Sequence, residues 1–453
     1  MGKEKKNQTI IFKNPPHIIG NYSIVGPKEG EGTFGKYFDY IMKCDYFGET
    51  TYEKAERKML EHAIFGAIDS AMLNSKDIDI LLCGDLLNQI ISSSYAARSY
   101  DLCYLGVFGA CSTMALSLAV GASLVNAGYF KHVACATSSH FSSAERQFRY
   151  PLELGNQRPP TAQWTCTAAG CAVLAPDGNG PIITSATFGK VIDFGIADVN
   201  NMGAAMAPSA MNTMLAHFND TNTTPDDYDL IVTGDLGKLG SEILVDLMEE
   251  EGIKLGVNYC DCGQMIFTHD QNVFMGGSGC GCSASILNSF ILRKIKEGVY
   301  KKVLFIATGA LLSPTSCQQG ETIPGVSHAV VIEKGEWHGN FFKISNCVSS
   351  WWACLSYWSN FNNNNTNNNS KNSCFVWTFW RVIGRNWNLW LYFQFCSCGN
   401  FCSNHRLWCK PCKRGNKRSS FKGNNWNFHW RIGSNCRWNC RSSYFCFYIF
   451  SFV

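Results

Sequence analysis

No aspartate or glutamate occurs in the last 117 residues of this 453-residue chain. All 35 acidic side chains lie at or before Glu336, whereas 14 of the 39 Lys and Arg residues follow it. A soluble surface carries both charge signs, so segment 337–453 is not expected to continue the preceding fold. Before Glu336 the chain also lacks any uninterrupted apolar run of the ~20 residues a spanning helix needs. The start, Met1-Gly2-Lys3-Glu4-Lys5-Lys6, runs into Asn and Gln and provides no apolar core for a signal peptide. Lys6 stands where a myristoylation motif needs Ser or Thr. A basic excess is missing too. Up to Glu336, 25 Lys and Arg face 35 acidic residues, a net charge of −10, so nucleic-acid binding has no electrostatic support. The 23 cysteines would suggest a disulfide scaffold in a small secreted protein. In a chain of this size without a secretory signature they read as reduced, cytoplasmic thiols.

What is present before Glu336 is an alternation of strand-like apolar runs with amphipathic helical stretches, the signature of α/β architecture. Helical spacing runs from Tyr52 to Leu73 and from Met114 to about Asn126. Strands are expected at Ile78–Cys83, Cys103–Phe108, His132–Thr137 and Cys171–Ala175. An internal repeat organises them. Asp79-Ile80-Leu81-Leu82-Cys83-Gly84-Asp85-Leu86 returns as Asp229-Leu230-Ile231-Val232-Thr233-Gly234-Asp235-Leu236. Gly109-Ala110-Cys111-Ser112 returns as Cys280-Gly281-Cys282-Ser283, followed by a helix expected over Ser285–Ile295. His132–Thr137 matches Lys302–Thr308, and Ala172-Val173-Leu174 matches Ala329-Val330-Val331. The order of the matches divides the chain into 1–175, 176–336 and the tail 337–453, with a pocket expected between the first two.

The tail has an Asn-rich run, 362–373, followed by Trp, Cys, Asn and Arg without period. Cys409-Lys410-Pro411-Cys412, near Cys396-Ser397-Cys398, looks like half a zinc site, and a disordered tail is the other simple reading. A disordered tail should be poor in the Trp and Phe that abound here. Shifting AT-rich codons by one base can turn Asn435–Tyr444 into an apolar Ile/Ala/Gly stretch. The tail is therefore read as a downstream frame translated out of register, and no metal site is assigned.

Cys111 follows an apolar strand and heads a helix, where amides and dipole would stabilise a thiolate and form an oxyanion hole. The alternative is a small residue buried at a tight strand–helix turn. The repeat, this cysteine and the Gly-rich segment Gly276–Ser283 together resemble the thiolase and ketoacyl-synthase superfamily, in which such a Cys accepts the acyl group. A closer resemblance, to the stage V sporulation protein AD family, is carried by several segments. They are Val25-Gly26-Pro27-Lys28-Glu29-Gly30-Glu31-Gly32, Gly84–Gln89, Gly106–Ser112, Ala162-Gln163-Trp164-Thr165 and Gly276–Ser283.

This resemblance implies a thiolase-like fold of two duplicated halves in αβαβα layers. It implies a protein that binds dipicolinic acid, free or as the calcium chelate, and supports its uptake into the forespore. Expected partners are the other SpoVA membrane proteins and a second copy of the chain, at the cytoplasmic side of the forespore membrane. No cofactor is expected. The tail agrees, since the neighbouring protein AE of that system is a small membrane protein.

Condensing enzymes pair the nucleophile with His, and no His precedes Phe274-Met275-Gly276-Gly277. His269, His140 and His328 are the remaining candidates, each readable as structural. Binding is therefore expected over turnover, with an acyltransferase using Cys111 and a purely structural subunit as the rivals. A flat dianion needs donors and an apolar face. Helix-head amides near Cys111, Gly109 and Gly277, the rings of Phe108 and Trp164, and polar Gln163, Thr165, Asn88, Asp85 or Arg149 are the expected contacts. Arg146 and Arg158 lie near Arg149 in sequence, and Asp85 has its repeat mate in Asp235.

Overall fold

The computed structural model describes residues 7–148, 154–155 and 157–335, plus backbone segments 389–397, 422–423, 426–427 and 443–451. Arg149, Cys409, Cys412 and residues 435–442 lie outside the described residues, and with them the register argument for the tail. The residues from Asn340 onward form a unit of their own. In it Leu389–Ser397 pairs antiparallel with Ser443–Ser451, and Lys422–Gly423 with Trp426–Asn427.

Up to Gly339 the chain forms a second unit. Its first copy of the repeat contains β1 (His17–Val25), α1 (Tyr52–Ser70), β2 (Ile80–Gly84), α2 (Ile91–Tyr100), β3 (Tyr104–Gly106), α3 (Thr113–Asn126), β4 (Val133–Ser139), α4 (Phe141–Phe148) and β5 (Ala168–Ala175). The second copy contains β6 (Ile182–Thr187), α5 (Met202–Thr221), β7 (Leu230–Thr233), α6 (Gly237–Glu250), β8 (Tyr259–Asp261), α7 (Cys280–Ile286), β9 (Lys302–Ala310) and β10 (Gly325–Glu333).

The strand order is β8-β7-β9-β10-β6-β1-β5-β4-β2-β3. Read outward from the centre, each copy repeats one arrangement. Its first strand pairs antiparallel with its last (β1 with β5, β6 with β10), the last pairs antiparallel with the fourth, and the fourth runs parallel to the second. The copies join where His17 of β1 stands opposite Ile182 of β6, and the N-terminal strand Thr9–Ile11 also pairs antiparallel with β6, Thr9 opposite Thr187.

Local chemistry repeats with the topology. Asp79 accepts from the amides of Lys131 and His132 at 2.6 and 2.9 Å. Asp229 accepts from Lys301 and Lys302 at 2.6 and 2.9 Å. Each carboxylate thus fastens the start of the fourth strand of its own copy. Before each lies a capping box, Asn74 with Asp77 and Thr224 with Asp227.

Two helices form the central layer. α3 packs on β4 and β2 of its own copy and on β10 and β9 of the other, while α7 packs on β5 and β4 of the first copy. Outside lie α1, on β1, β4 and β5, and α5, on β9 and β10. The layering is αβαβα, as the resemblance implied. A helix enclosed on all sides cannot be amphipathic, and every residue of α7 is buried. Close approach requires small residues. A Cβ on Gly281 would run into the carbonyl oxygen of Ala168, and one on Gly170 would lie 2.5 Å from that of Ala284.

Three elements differ most from expectation. β3 spans three residues, β5 begins three residues early at Ala168, and α7 begins at Cys280, continuing through a π turn at Leu287–Ile291 into Leu292–Glu297. Cys, Gly and Ser favour helix weakly, so Cys280–Ser283 gave no helical signal. Burial between the two copies overrides that preference.

Candidate functional site

Cys111 lies at the head of α3, on a turn that its neighbours tie down. Ala110 takes φ +49°, a region costly for a residue with a Cβ. Ser112 Oγ donates to the Gly109 carbonyl and Thr113 Oγ1 to that of Ala110, both at 2.6 Å. From the second copy, Gly309 on β9 comes so close that a Cβ would strike the Gly109 carbonyl oxygen. Cys111 is therefore placed at the seam between copies.

Across the seam stands Asp235, just past β7 and fully buried. Its carboxylate accepts from Thr308 Oγ1 at 2.7 Å, the Gly279 amide at 2.9 Å and Ser278 Oγ at 3.2 Å. The Cys111 thiol also faces this carboxylate closely enough for each to shift the other. Burial pushes Asp235 up to about 6, with Thr308, Cys111, Gly279 and Ser278 opposing the shift. The same closeness acts on the thiol. Burial, then the Asp235 charge and Cys280, push Cys111 well above its ordinary range, and the Gly279 amide alone opposes them.

The expectation of a thiolate stabilised by helix-head amides is thus corrected. A buried sulfur beside a carboxylate keeps its proton. At the head of α3 the amides of Ser112 and Thr113 donate to the carbonyls of Gly109 and Ala110 at 3.0 and 3.3 Å, while across the seam the Gly279 amide is taken by Asp235.

Gln163 joins this seam to the next cluster. Its Nε2 donates to the carbonyls of Asp235 (2.6 Å) and Gly277 (3.1 Å). Trp164–Thr165 runs parallel to Gly277–Ser278 as a two-residue ladder. Trp164 stacks on Phe141 with centroids 3.8 Å apart and planes at 10°. Lys28 Nζ lies 4.3 Å, and the Arg158 guanidinium carbon 4.9 Å, from the Trp164 centroid. Thr165 Oγ1 donates to the buried Glu145 carboxylate at 2.7 Å.

Gly109, Cys111, Gln163 and Gly277 therefore gather around Asp235, with Trp164 and Thr165 on the adjoining ladder. Asp85 is placed differently. One of its oxygens takes the Leu87 amide at 2.9 Å, and the other takes the Ser93 amide and hydroxyl at 2.8 and 2.6 Å. It holds the turn into α2. Asn88 is exposed, its amide donating to Gln147, and Phe108 is 55% exposed.

The three candidate histidines are engaged elsewhere or exposed. His140 Nε2 sits 2.9 Å from the Asp45 carbonyl, His328 Nδ1 accepts from the Gly189 amide at 3.2 Å, and His269 is on the surface. Arg146 pairs with Glu53. Among the described residues no group of three His, Cys, Asp or Glu is placed to hold a metal ion. No described helix is long and apolar enough to cross a membrane.

Asp235 was legible only as a repeat mate. Lys28, Phe141 and Phe274 carried no separate signal, although Lys28 falls inside a segment that supported the resemblance.

Residues 6–333 match the family described as Stage V sporulation protein AD. Stage V sporulation protein AD of Bacillus subtilis (strain 168) is 47% identical over 327 residues, spanning 72% of this chain and 97% of that protein. Among solved structures, 3-oxoacyl-[acyl-carrier-protein] synthase III from Aquifex aeolicus is 13% identical, with a TM-score of 0.45 over 70% of this chain and 99% of that one. Acetamide-bound OleA from Xanthomonas campestris is 12% identical, with a TM-score of 0.46 over 71% of this chain and 100% of that one. The matched span ends at residue 333, just short of the compositional break, and by it the chain belongs to the stage V sporulation protein AD family, proteins of sporulation.

Proposed function

We propose that this protein binds dipicolinic acid for uptake into the forespore and does not catalyse acyl transfer. One observation carries the choice of binding over turnover: the Asp235 carboxylate occupies the donors beside Cys111, whose thiol is pushed well above its ordinary range by burial and by that charge. A thiol with no histidine beside it, facing a fixed anion, is poorly placed to form a charged tetrahedral intermediate. The ligand is a flat pyridine ring with two carboxylates. The Trp164–Phe141 stack supplies an apolar face for such a ring, and Gln163, Thr165 and Gly277 adjoin it.

The protein works beside the SpoVA membrane proteins at the cytoplasmic side of the forespore membrane. It pairs with a second copy through the first half, where β3 ends the sheet with an open hydrogen-bonding edge next to exposed Leu105 and Phe108. Light scattering checks the pairing, and a monomer at all concentrations would remove it.

Titration calorimetry with dipicolinate, with and without calcium, tests the ligand. Loss of a stacking ring costs ~1–3 kcal/mol, so Trp164→Ala should weaken binding about tenfold or more, with the thermal midpoint kept. Cys111→Ala should weaken it less. No binding by the wild type would leave a purely structural subunit. Acyl transfer from a coenzyme A or carrier-protein thioester, abolished by Cys111→Ala, would restore the enzyme reading.

The thiol's state has its own test. Asp235→Asn removes the adjacent charge, so the pH midpoint for alkylation of Cys111, followed by peptide mass spectrometry, should fall by about one unit or more. An unchanged midpoint would mean that Asp235 does not govern the thiol.

A further inference from the structure

We infer that Lys28 and Arg158 form an anion clamp at the Trp164 ring, taking one carboxylate of a planar aromatic dicarboxylate. The inference rests on the binding reading above and extends it to two residues outside the expected site.

The two cations come from segments 130 residues apart and converge on one ring. Neither is a free-swinging surface side chain. Lys28 Nζ donates to the Gln271 carbonyl at 2.7 Å, and Gln271 Nε2 returns a bond to the Lys28 carbonyl at 2.7 Å. Arg158 donates to the Gln163 carbonyl, and its guanidinium also lies 5.4 Å from the Phe274 ring centroid.

Two positive groups brought this close repel each other. Partial burial lowers the Lys28 pKa, Arg158 lowers it further, and Glu29 and Glu31 act in the opposite sense. The Lys28 ammonium retains donors beyond the one given to Gln271, and a guanidinium presents a planar fork suited to a carboxylate. An anion entering between them would cancel the repulsion, with its ring against the apolar edges of Trp164 and Phe274. Gln163 links the clamp to the seam, since its carbonyl holds Arg158 and its side chain holds the Asp235 backbone.

The test uses the full chain, titrated by calorimetry with dipicolinate, isophthalate and pyridine-2-carboxylate. Charged hydrogen bonds contribute ~1.5–3 kcal/mol, so Lys28→Gln and Arg158→Gln should each weaken dipicolinate roughly 10- to 100-fold. Both changes should weaken the single-carboxylate acid too, since its one carboxylate can enter the clamp, and Lys28→Arg and Arg158→Lys should recover part of the loss. Dipicolinate affinity unchanged in both Gln variants would overturn the clamp. If the wild type ignores dipicolinate yet binds isophthalate in a Lys28- and Arg158-dependent way, the clamp stands and the dipicolinate reading falls. Binding of neither dicarboxylate removes both.

Discussion

Gly281→Val should yield no soluble, folded protein, and Gly281→Ala should cost about 3 kcal/mol or more, at or beyond the upper end of ordinary overpacking. The cause is backbone meeting backbone. A Cβ at 281 points at the Ala168 carbonyl oxygen on β5, with Ser139 Oγ 2.7 Å away on β4. A flexible side chain could move aside, but a strand carbonyl already in a sheet cannot. Gly170→Val tests the same contact from the strand, because its Cβ would meet the carbonyl of Ala284 on α7. Gly128 is the comparison. It adopts φ +76° with nothing within 4 Å, so alanine there should cost only ~1–2 kcal/mol of backbone strain. Soluble yield and urea midpoints check the series. A folded Gly281→Val protein as stable as the Gly128→Ala variant would refute the close packing of α7 on β5.

Stability should fall steadily as pH rises above about 6.5. Burial raises Glu29 and Glu56 to about 8, Asp261 to about 7 and Asp235 to about 6. Each of these groups keeps its proton in the folded chain at a pH where the unfolded chain has released it. Their contribution is complete below the unfolded carboxyl range and is lost as pH rises through the folded value. Histidines work oppositely. Burial lowers His217 and His328 to about 4, so between there and about 6.5 the unfolded chain takes up protons that the folded chain refuses. Burial also lowers His62 and His140 and raises Asp85, so five carboxyls oppose four histidines, and above about 6.5, where histidines no longer titrate in either state, the carboxyls act alone. At the acid end Asp77 and Asp227, held below the usual range by the amides of Asn74 and Thr224, lose their contribution as they protonate. At ~1.4 kcal/mol per unit and group, Glu29 and Glu56 alone should remove on the order of 4 kcal/mol between pH 6 and 8. That corresponds to a fall in thermal midpoint on the order of 10 °C. Glu29→Gln with Glu56→Gln should flatten the alkaline limb. A midpoint that stays level or rises from about pH 6 to 8.5 would refute the assignment.

Much of the fold could be read along the chain because it is written twice. The Asp79 and Asp229 segments are strand, glycine turn and carboxylate in the same order, and both aspartates take the same kind of backbone partner. The site was less legible. Asp85 and Asp235 occupy equivalent places in the repeat, yet one holds a turn through Leu87 and Ser93, whereas the other faces Cys111 across the seam. No local pattern separates them, since the difference lies in what the opposite copy brings close. Lys28 and Arg158 escaped for the same reason, as residues 130 positions apart share no periodicity. Trp164 could be singled out because it is the one tryptophan before residue 337.

The placement of α7 on the other copy's strands bears on descent. A chain holding one copy would leave its central helix bare on one flank, so an ancestral unit would have had to find a twin. The six residues between β5 and β6 turned that encounter into an intramolecular one, where even ~mM effective concentration assures partnership. Symmetry was then no longer enforced by identity of the chains. One copy was free to keep its aspartate as scaffolding while the other turned the matching residue toward its neighbour's thiol.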